Sequence, residues 1–278
     1  MRPASTQMSA VARFRELHGS GCFVLPNPWD AGTAVVLEHL GFKALATTSA
    51  GVAFSRAAPD TVSSVPRDVM LAHIRDVVAA TTLPVNADFL AGYADDPEGV
   101  AANVALAVAT GAAGLSIEDG TGNGAAPLYE AALAIERIRA ARRAIDASGS
   151  PVVLTGRCEA WLVGVPDPFL VAQRRLAAYA EAGADCLYAP GVTEPDEIAA
   201  LVKAVAPKPI NVLMSAPSKV LSVSRLADLG VRRVSVGSAL SRVAWGAFIR
   251  AARSLAATGS FDAFADAASF SELNDLFT

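Results

Sequence analysis

Charge is scarce in this chain and nearly balanced. Lys and Arg number 23 against 27 Asp and Glu, a net charge of −4, and only 18% of the 278 residues are charged. No basic stripe is available to meet a polyanion, so nucleic acid is not expected as a partner. Cysteine is rarer still: Cys22, Cys158 and Cys186 are odd in number and far apart. That spacing argues against a disulfide framework and for a reducing, cytoplasmic setting. The three histidines, His18, His39 and His73, all fall in helical-looking segments away from strand ends. A His-rich zinc site and a Ser-His-Asp triad therefore lack residues. Long apolar runs are missing too. The one membrane-like stretch, 99–117, contains Asn103, Thr110, Gly111 and Gly114 and runs into Glu118-Asp119, so it reads as a buried helix followed by a strand. No apolar signal-peptide core precedes residue 20, and neither membrane nor export is expected.

What the chain has is alternation. Short β-rich runs occur at 22–25, 44–47, 84–87, 114–117, 152–155, 185–188, 209–213 and 233–236, with Ala-rich helical segments between them. Asp30 caps the helical stretch ending at Gly41, Pro97 opens the one ending at Gly111, and Pro168 opens the one ending at Gly183. Strands that read as continuous apolar runs between helices call for a parallel sheet with both faces covered. Eight such units predict an α/β fold, a (β/α)8 TIM-type barrel, formed by 1–278 as one domain with a C-terminal helical tail at 259–278. A doubly wound sheet is the alternative, but Pro26-Asn27-Pro28-Trp29-Asp30 is no Gly-rich phosphate turn.

In such a barrel the chemistry belongs to the carboxyl ends of the strands. Those ends carry Asn27, Trp29 and Asp30; Thr48, Ser49 and Gly51; Asn86 and Asp88; Glu118 and Asp119; and Arg157 and Glu159, while Asn211 lies in the seventh strand. Asp88, Glu118 and Asp119, with Asp60 from the loop after the second strand, would converge on one mouth. Like charges in one cavity need protons or a cation, and oxygen donors suit Mg²⁺ or Mn²⁺. Arg157 ends an apolar strand, so it meets either a substrate carboxylate or Glu159, or both. Cys158 reads as a packing residue, because no His stands near it in sequence. The Gly-rich loop 120–127 beside this mouth suits a lid.

Seven ordered motifs carry a family resemblance. They are Asn-Pro-Trp-Asp-Ala at 27–31, Thr-Thr-Ser-Ala-Gly at 47–51, Pro-Val-Asn-Ala-Asp at 84–88, Gly-Ala-Ala-Gly-Leu-Ser-Ile-Glu-Asp at 111–119, Gly-Arg-Cys-Glu-Ala at 156–160, Ala-Gly-Ala-Asp at 182–185 and Pro-Ile-Asn-Val-Leu at 209–213. From Phe23 to about Gly259 the chain resembles the isocitrate lyase and phosphoenolpyruvate mutase superfamily. The resemblance implies a barrel that binds Mg²⁺ and a small 2-oxo or 2-hydroxy acid and works through an enolate. It makes Asp88 and Glu118 metal carboxylates and Asp60 a ligand to metal-bound water. It makes Ser49 with the Ala50 and Gly51 amides a carboxylate cradle, Trp29 a pocket wall and Arg157 the substrate arginine; Asn211 joins them as a substrate-binding candidate. The chain also departs from the pattern. Asn86 stands where relatives carry a second aspartate, Leu90 where many carry a glutamate, and the loop lacks both the cysteine motif of the isocitrate lyases and the Thr-Asn-Ser of the mutases, leaving Asn123 as stand-in.

Retro-aldol cleavage needs a base and an acid, and no loop Cys or His supplies either. Decarboxylation of an oxaloacetate-like acid needs chelation and an electron sink. The expected activity is therefore an Mg²⁺-dependent carbon-carbon lyase or decarboxylase. The alternatives are a mutase or hydrolase acting on a P–C bond and a non-catalytic carboxylate-binding barrel. Phe261, Phe264, Phe270, Leu273, Leu276 and Phe277 lie in the last 18 residues, beyond the eighth unit, which predicts a homo-oligomer, a dimer or tetramer, with the tail on a neighbour.

Overall fold

The structure, a computed structural model, describes residues 4–277. Its eight strands are β1 (Phe23–Leu25), β2 (Leu45–Ala46), β3 (Val85–Asp88), β4 (Gly114–Glu118), β5 (Val153–Arg157), β6 (Cys186–Tyr188), β7 (Ile210–Leu213) and β8 (Arg233–Ser235). All pairings are parallel, in the order β1-β8-β7-β6-β5-β4-β3-β2. Each predicted β-rich run overlaps one of these strands, with β3, β4 and β5 extending one or two residues further. The seam between β1 and β2 is stitched by the Ala46 amide on the Pro26 carbonyl at 3.0 Å and by Asn27. The Asn27 amide group donates to the Thr47 carbonyl at 2.9 Å, and its oxygen accepts from the Val236 and Gly237 amides at 3.1 and 2.8 Å. Asn27 thus clasps three strand ends and is spent on the fold.

The helices are α1 (Ala4–Gly19), α2 (Ala31–His39), α3 (Ser49–Ser55), α4 (Arg67–Ala80), α5 (Pro97–Val108) and α6 (Ala131–Ala147). They continue with α7 (Pro168–Glu181), α8 (Pro195–Val205), α9 (Val223–Asp228), α10 (Ala239–Thr258) and α11 (Phe270–Leu276). Asp30 caps α2 in a reciprocal box with Thr33, and Pro97 and Pro168 open α5 and α7, as their fixed φ favours. Among the described residues no helix is long and apolar enough to cross a membrane.

The strands are not continuous apolar runs, and this corrects the sequence reading. Val85, Ala87, Leu115, Ile117, Leu154, Leu187, Val212 and Val234 belong to the hydrophobic core. Their alternating neighbours Asn86, Asp88, Ser116, Arg157, Asn211, Arg233 and Ser235 line a cavity inside the barrel, where branched aliphatics usually stack. The N-terminal end is closed by α1, whose Phe14 is fully buried and meets His18 and Phe23 edge-on. A Cβ on Gly114 would lie 2.6 Å from both Phe14 and the Asn86 oxygen, so this inward position admits only glycine.

After the last strand the packing thins. Ser241 is the only buried residue of α10, while Val243 and Phe248 stand 68% and 63% exposed. The helix ends at Gly259, whose φ of +68° suits a left-handed cap. Of the tail, Phe277 folds back to 3.6 Å from where a Gly32 Cβ would sit on α2, but Phe270 is 90% exposed.

Candidate active site

At the mouth the structure brings together Asp88, Glu118, Arg157 and Glu159. The Arg157 guanidinium reaches Glu118 Oε2 at 3.1 Å and Asp88 Oδ1 at 3.4 Å, and it grips Glu159 through two nitrogens. Register explains the first contact, since Glu118 and Arg157 are Cα partners on β4 and β5. The face of Tyr188 lies 5.2 Å from the same guanidinium. Burial works against the Arg157 charge, but Glu118, Glu159 and Asp88 outweigh it and hold it protonated above its ordinary range. Burial pushes the Glu118 carboxyl well up; Arg157 opposes this, and Glu159, Asp88 and Asp119 add to it. Glu159 is raised for the same first reason. Asp60, on the rim, is raised by burial and by Asp88. The site is thus a carboxylate cluster with too little positive charge.

Among the described residues no three His, Cys, Asp or Glu side chains stand close enough to cage a metal. Mg²⁺ does not need such a cage, because it usually takes one or two carboxylates and keeps water and substrate oxygens. Glu118 Oε2 is buried and accepts no hydrogen bond despite its contact with Arg157, and Asn86 Oδ1 is buried without a partner. These unsatisfied oxygens fit a hard divalent cation, which Asp88 and Glu118 would hold, with Asp60 as an outer partner.

The cradle is placed as expected but partly occupied. Ser49, Ala50 and Gly51 form the first turn of α3; the Ser49 amide donates to Asp88 Oδ2 at 2.8 Å, and the Gly51 amide caps onto Thr48 Oγ1 at 3.2 Å. A Cβ at Gly51 would come within 2.9 Å of Trp29 Cβ, so the glycine lets Trp29 lie against this turn. Trp29 itself lines a separate groove of about 280 Å³ with Trp245 and Phe248 of α10, and not the cavity that holds Asp88 and Arg157. Asn211 does line that cavity. It lies deep, 1% exposed, donating to Ser235 Oγ and accepting from Arg233 Nε, each at 2.9 Å. Asn123 is exposed and turned into its own loop, where its oxygen accepts from the Ala125 amide at 3.0 Å. That loop is pinned by the Gly120–Leu128 bridge and packs at Gly122 onto Val62, two residues beyond Asp60. Cys158 is buried and its thiol is pushed far up by burial, as a packing residue should be.

Three side chains support the site, and two of them, Arg137 and Arg233, escaped the sequence reading. Asp119 accepts from the Glu159 amide at 2.8 Å, from the Tyr179 hydroxyl at 2.6 Å and from Arg175 at 3.1 Å, and so fixes the turn that aims Glu159. Arg137, fully buried, donates to the carbonyls of Ala91, Ala94 and Asp95 and stacks 3.9 Å over Tyr129. It clamps the segment after Asp88, where Leu90 and Tyr93 hold φ of +49° and +57°. The visible signal was an arginine on the buried face of α6 beside Ala134, Ile138 and Ala141. The third is Arg233, inside the barrel.

Comparison with known proteins agrees with the fold. The profile of the phosphoenolpyruvate phosphomutase family matches residues 14–256. The chain belongs to that family, and hence to the isocitrate lyase and phosphoenolpyruvate mutase superfamily of lyases and mutases. An uncharacterized protein of Mycobacterium tuberculosis (strain ATCC 25618 / H37Rv) is 37% identical over 229 residues, 81% of each chain. The oxaloacetate decarboxylase of Bradyrhizobium sp. (strain BTAi1 / ATCC BAA-1182) is 32% identical over 228 residues, 79% of this chain and 74% of that one. Among solved structures, a Burkholderia cenocepacia J2315 protein provisionally assigned as a lyase/mutase superposes with a TM-score of 0.94 at 48% identity, covering 99% of this chain and 98% of that one.

Proposed function

We propose that this enzyme is a divalent-metal-dependent carbon-carbon lyase or decarboxylase acting on a small 2-oxo or 2-hydroxy dicarboxylate of the oxaloacetate type, through an enolate. The observation that carries the reading is the Arg157 guanidinium set against Asp88 and Glu118, with the Ser49 amide on the other oxygen of Asp88. Bound there, Mg²⁺ or Mn²⁺ would supply Lewis-acid polarisation of the oxo group. Arg157 would leave part of its carboxylate partnership to take the substrate carboxylate in a bidentate fork. Glu159 keeps the fork oriented while Asp119 holds Glu159. Loop 120–127, seated on Val62, would exclude water from the mouth. Asn123 offers no group aimed at a phosphoryl, which favours carbon-carbon over P–C chemistry.

An NMR-followed screen of oxaloacetate, its alkyl derivatives, 2-methylisocitrate and phosphonopyruvate with Mg²⁺ or Mn²⁺ tests the assignment. Conversion of an oxaloacetate-type acid is expected; conversion of phosphonopyruvate alone would replace it. The reading includes a homo-oligomer. The exposed apolar face of α10 and the protruding Phe270 fit a second copy of this chain, and light scattering showing a monomer at micromolar concentration would refute it.

A further inference from the structure

One buried charge has no role in this chemistry. Arg233 is 2% exposed, inside the barrel on β8. Its Nε donates to Asn211 Oδ1 at 2.9 Å, one terminal nitrogen to Thr155 Oγ1 at 3.0 Å, and the other lies 3.3 Å from His18 Nε2. His18 Nδ1 sits 2.7 Å from the Phe14 carbonyl, so that nitrogen carries the proton and Nε2 accepts. Every partner of Arg233 is neutral. Among the described residues no carboxylate forms an ion pair with it, whereas Arg157, lining the same cavity, faces three.

A buried guanidinium without a counter-ion is strongly unfavourable, and an apolar residue of similar size would serve a barrel interior better. Arg233 lines a cavity of about 50 Å³ that reaches the mouth at Asp88 and Arg157. That is room for a chloride or a carboxylate group at the guanidinium. Asn86 borders the same space. Its Oδ1 is buried and unpartnered, and its Nδ2 makes only a 3.4 Å contact with the Ala87 carbonyl. Turned over, the amide becomes a donor into the cavity. An aspartate at 86 would bring its own negative charge; asparagine leaves the positive charge of Arg233 open.

We propose that this cavity is an anion subsite in which Arg233 takes one carboxylate-sized monoanion, with Asn86 and Ser235 as further donors. The anion has two sources, the second carboxylate of the substrate or a free halide. Assignment to the substrate rests on the function proposed above; the subsite itself does not.

The test is calorimetric titration of the full chain with chloride, pyruvate and oxaloacetate, the acids in the presence of Mg²⁺, on wild type, Arg233→Met and Arg233→Lys. A substrate subsite predicts that oxaloacetate binds at least about tenfold more tightly than pyruvate, with the preference lost in Arg233→Met and partly kept in Arg233→Lys. A halide subsite predicts saturable chloride binding that Arg233→Met removes and pyruvate does not displace. Unchanged affinities for both anions in Arg233→Met would overturn the proposal. Should that variant not fold, wild-type crystals soaked in bromide decide: an anomalous peak at the guanidinium upholds the subsite, and an empty cavity ends it. Halide binding on Arg233 in a protein that turns over no oxaloacetate-type acid would keep the subsite and sink the function. Turnover with anion affinity indifferent to Arg233 would do the reverse.

Discussion

The mouth and the floor of this barrel each hold a buried arginine, and they treat it in opposite ways. Arg157 is crowded by Asp88, Glu118 and Glu159, a surplus of negative charge. Arg233 is met by an amide, a hydroxyl and an imidazole. The imidazole is kept neutral, since burial first and Arg233 second lower the His18 pKa from 6.5 to about 3. On the two proposals above, the mouth would gain a cation and the floor an anion. The polar interior therefore bears on binding, because a barrel meant only to stand would be filled with branched aliphatics.

The largest effect should come from the mouth's missing positive charge. Exhaustive chelation is expected to abolish turnover, and Asp60→Ala to weaken metal binding about ten- to a hundredfold, as loss of an outer partner does. Asp88→Ala should cost more, because under the proposed function it removes a direct ligand. Full turnover after chelation, or equal losses in the two variants, would break the contrast.

Arg157→Ala comes next. Losing a charge-assisted hydrogen bond of roughly 1.5 to 3 kcal/mol predicts a fall of about ten- to a hundredfold in kcat/KM, and Arg157→Lys should recover only part of it. Near-normal turnover in Arg157→Ala would reduce the residue to a structural partner of Glu159.

Below the floor, Gly114→Ala should destabilise the fold by about 1 to 3 kcal/mol in urea, since the added methyl meets Phe14 and Asn86 at 2.6 Å. An unchanged midpoint would mean that α1 yields easily and is not a fixed plug.

The smallest effect is a pH slope. His18 has a folded pKa of about 3 against 6.5, so the unfolded chain binds the extra proton first. Its contribution is fully present above about pH 6.5 and is lost as pH falls towards 3. His18→Gln should flatten urea stability between pH 7 and pH 5; an identical slope would show that Arg233 does not need a neutral neighbour there.

Much of the mouth was legible because each residue stands at a strand end where chemistry is expected. Asp88, Glu118 and Arg157 met as their positions in β3, β4 and β5 implied. Trp29 did not, and the cause is direction. Asn211 lines the cavity of Asp88 and Arg157 from an inward position of β7, bonded to Ser235 and Arg233, while Trp29 turns past Gly51 towards α10. Reading the strands as continuous apolar runs concealed the inward polar set, although Ile210-Asn211-Val212 and Arg233-Val234-Ser235 already alternate.

Local pattern was enough for the eight strands, for the caps at Asp30, Pro97 and Pro168, and for the acidic and basic residues that end the strands, because these depend on neighbours a few positions away. Which of those charges meet depended on closure of the barrel. Arg175 crosses 56 positions to Asp119, and Arg233 crosses 215 to His18. Contacts of that range follow from strand tilt and stagger, and only the closed barrel sets the balance of buried charge at its two ends.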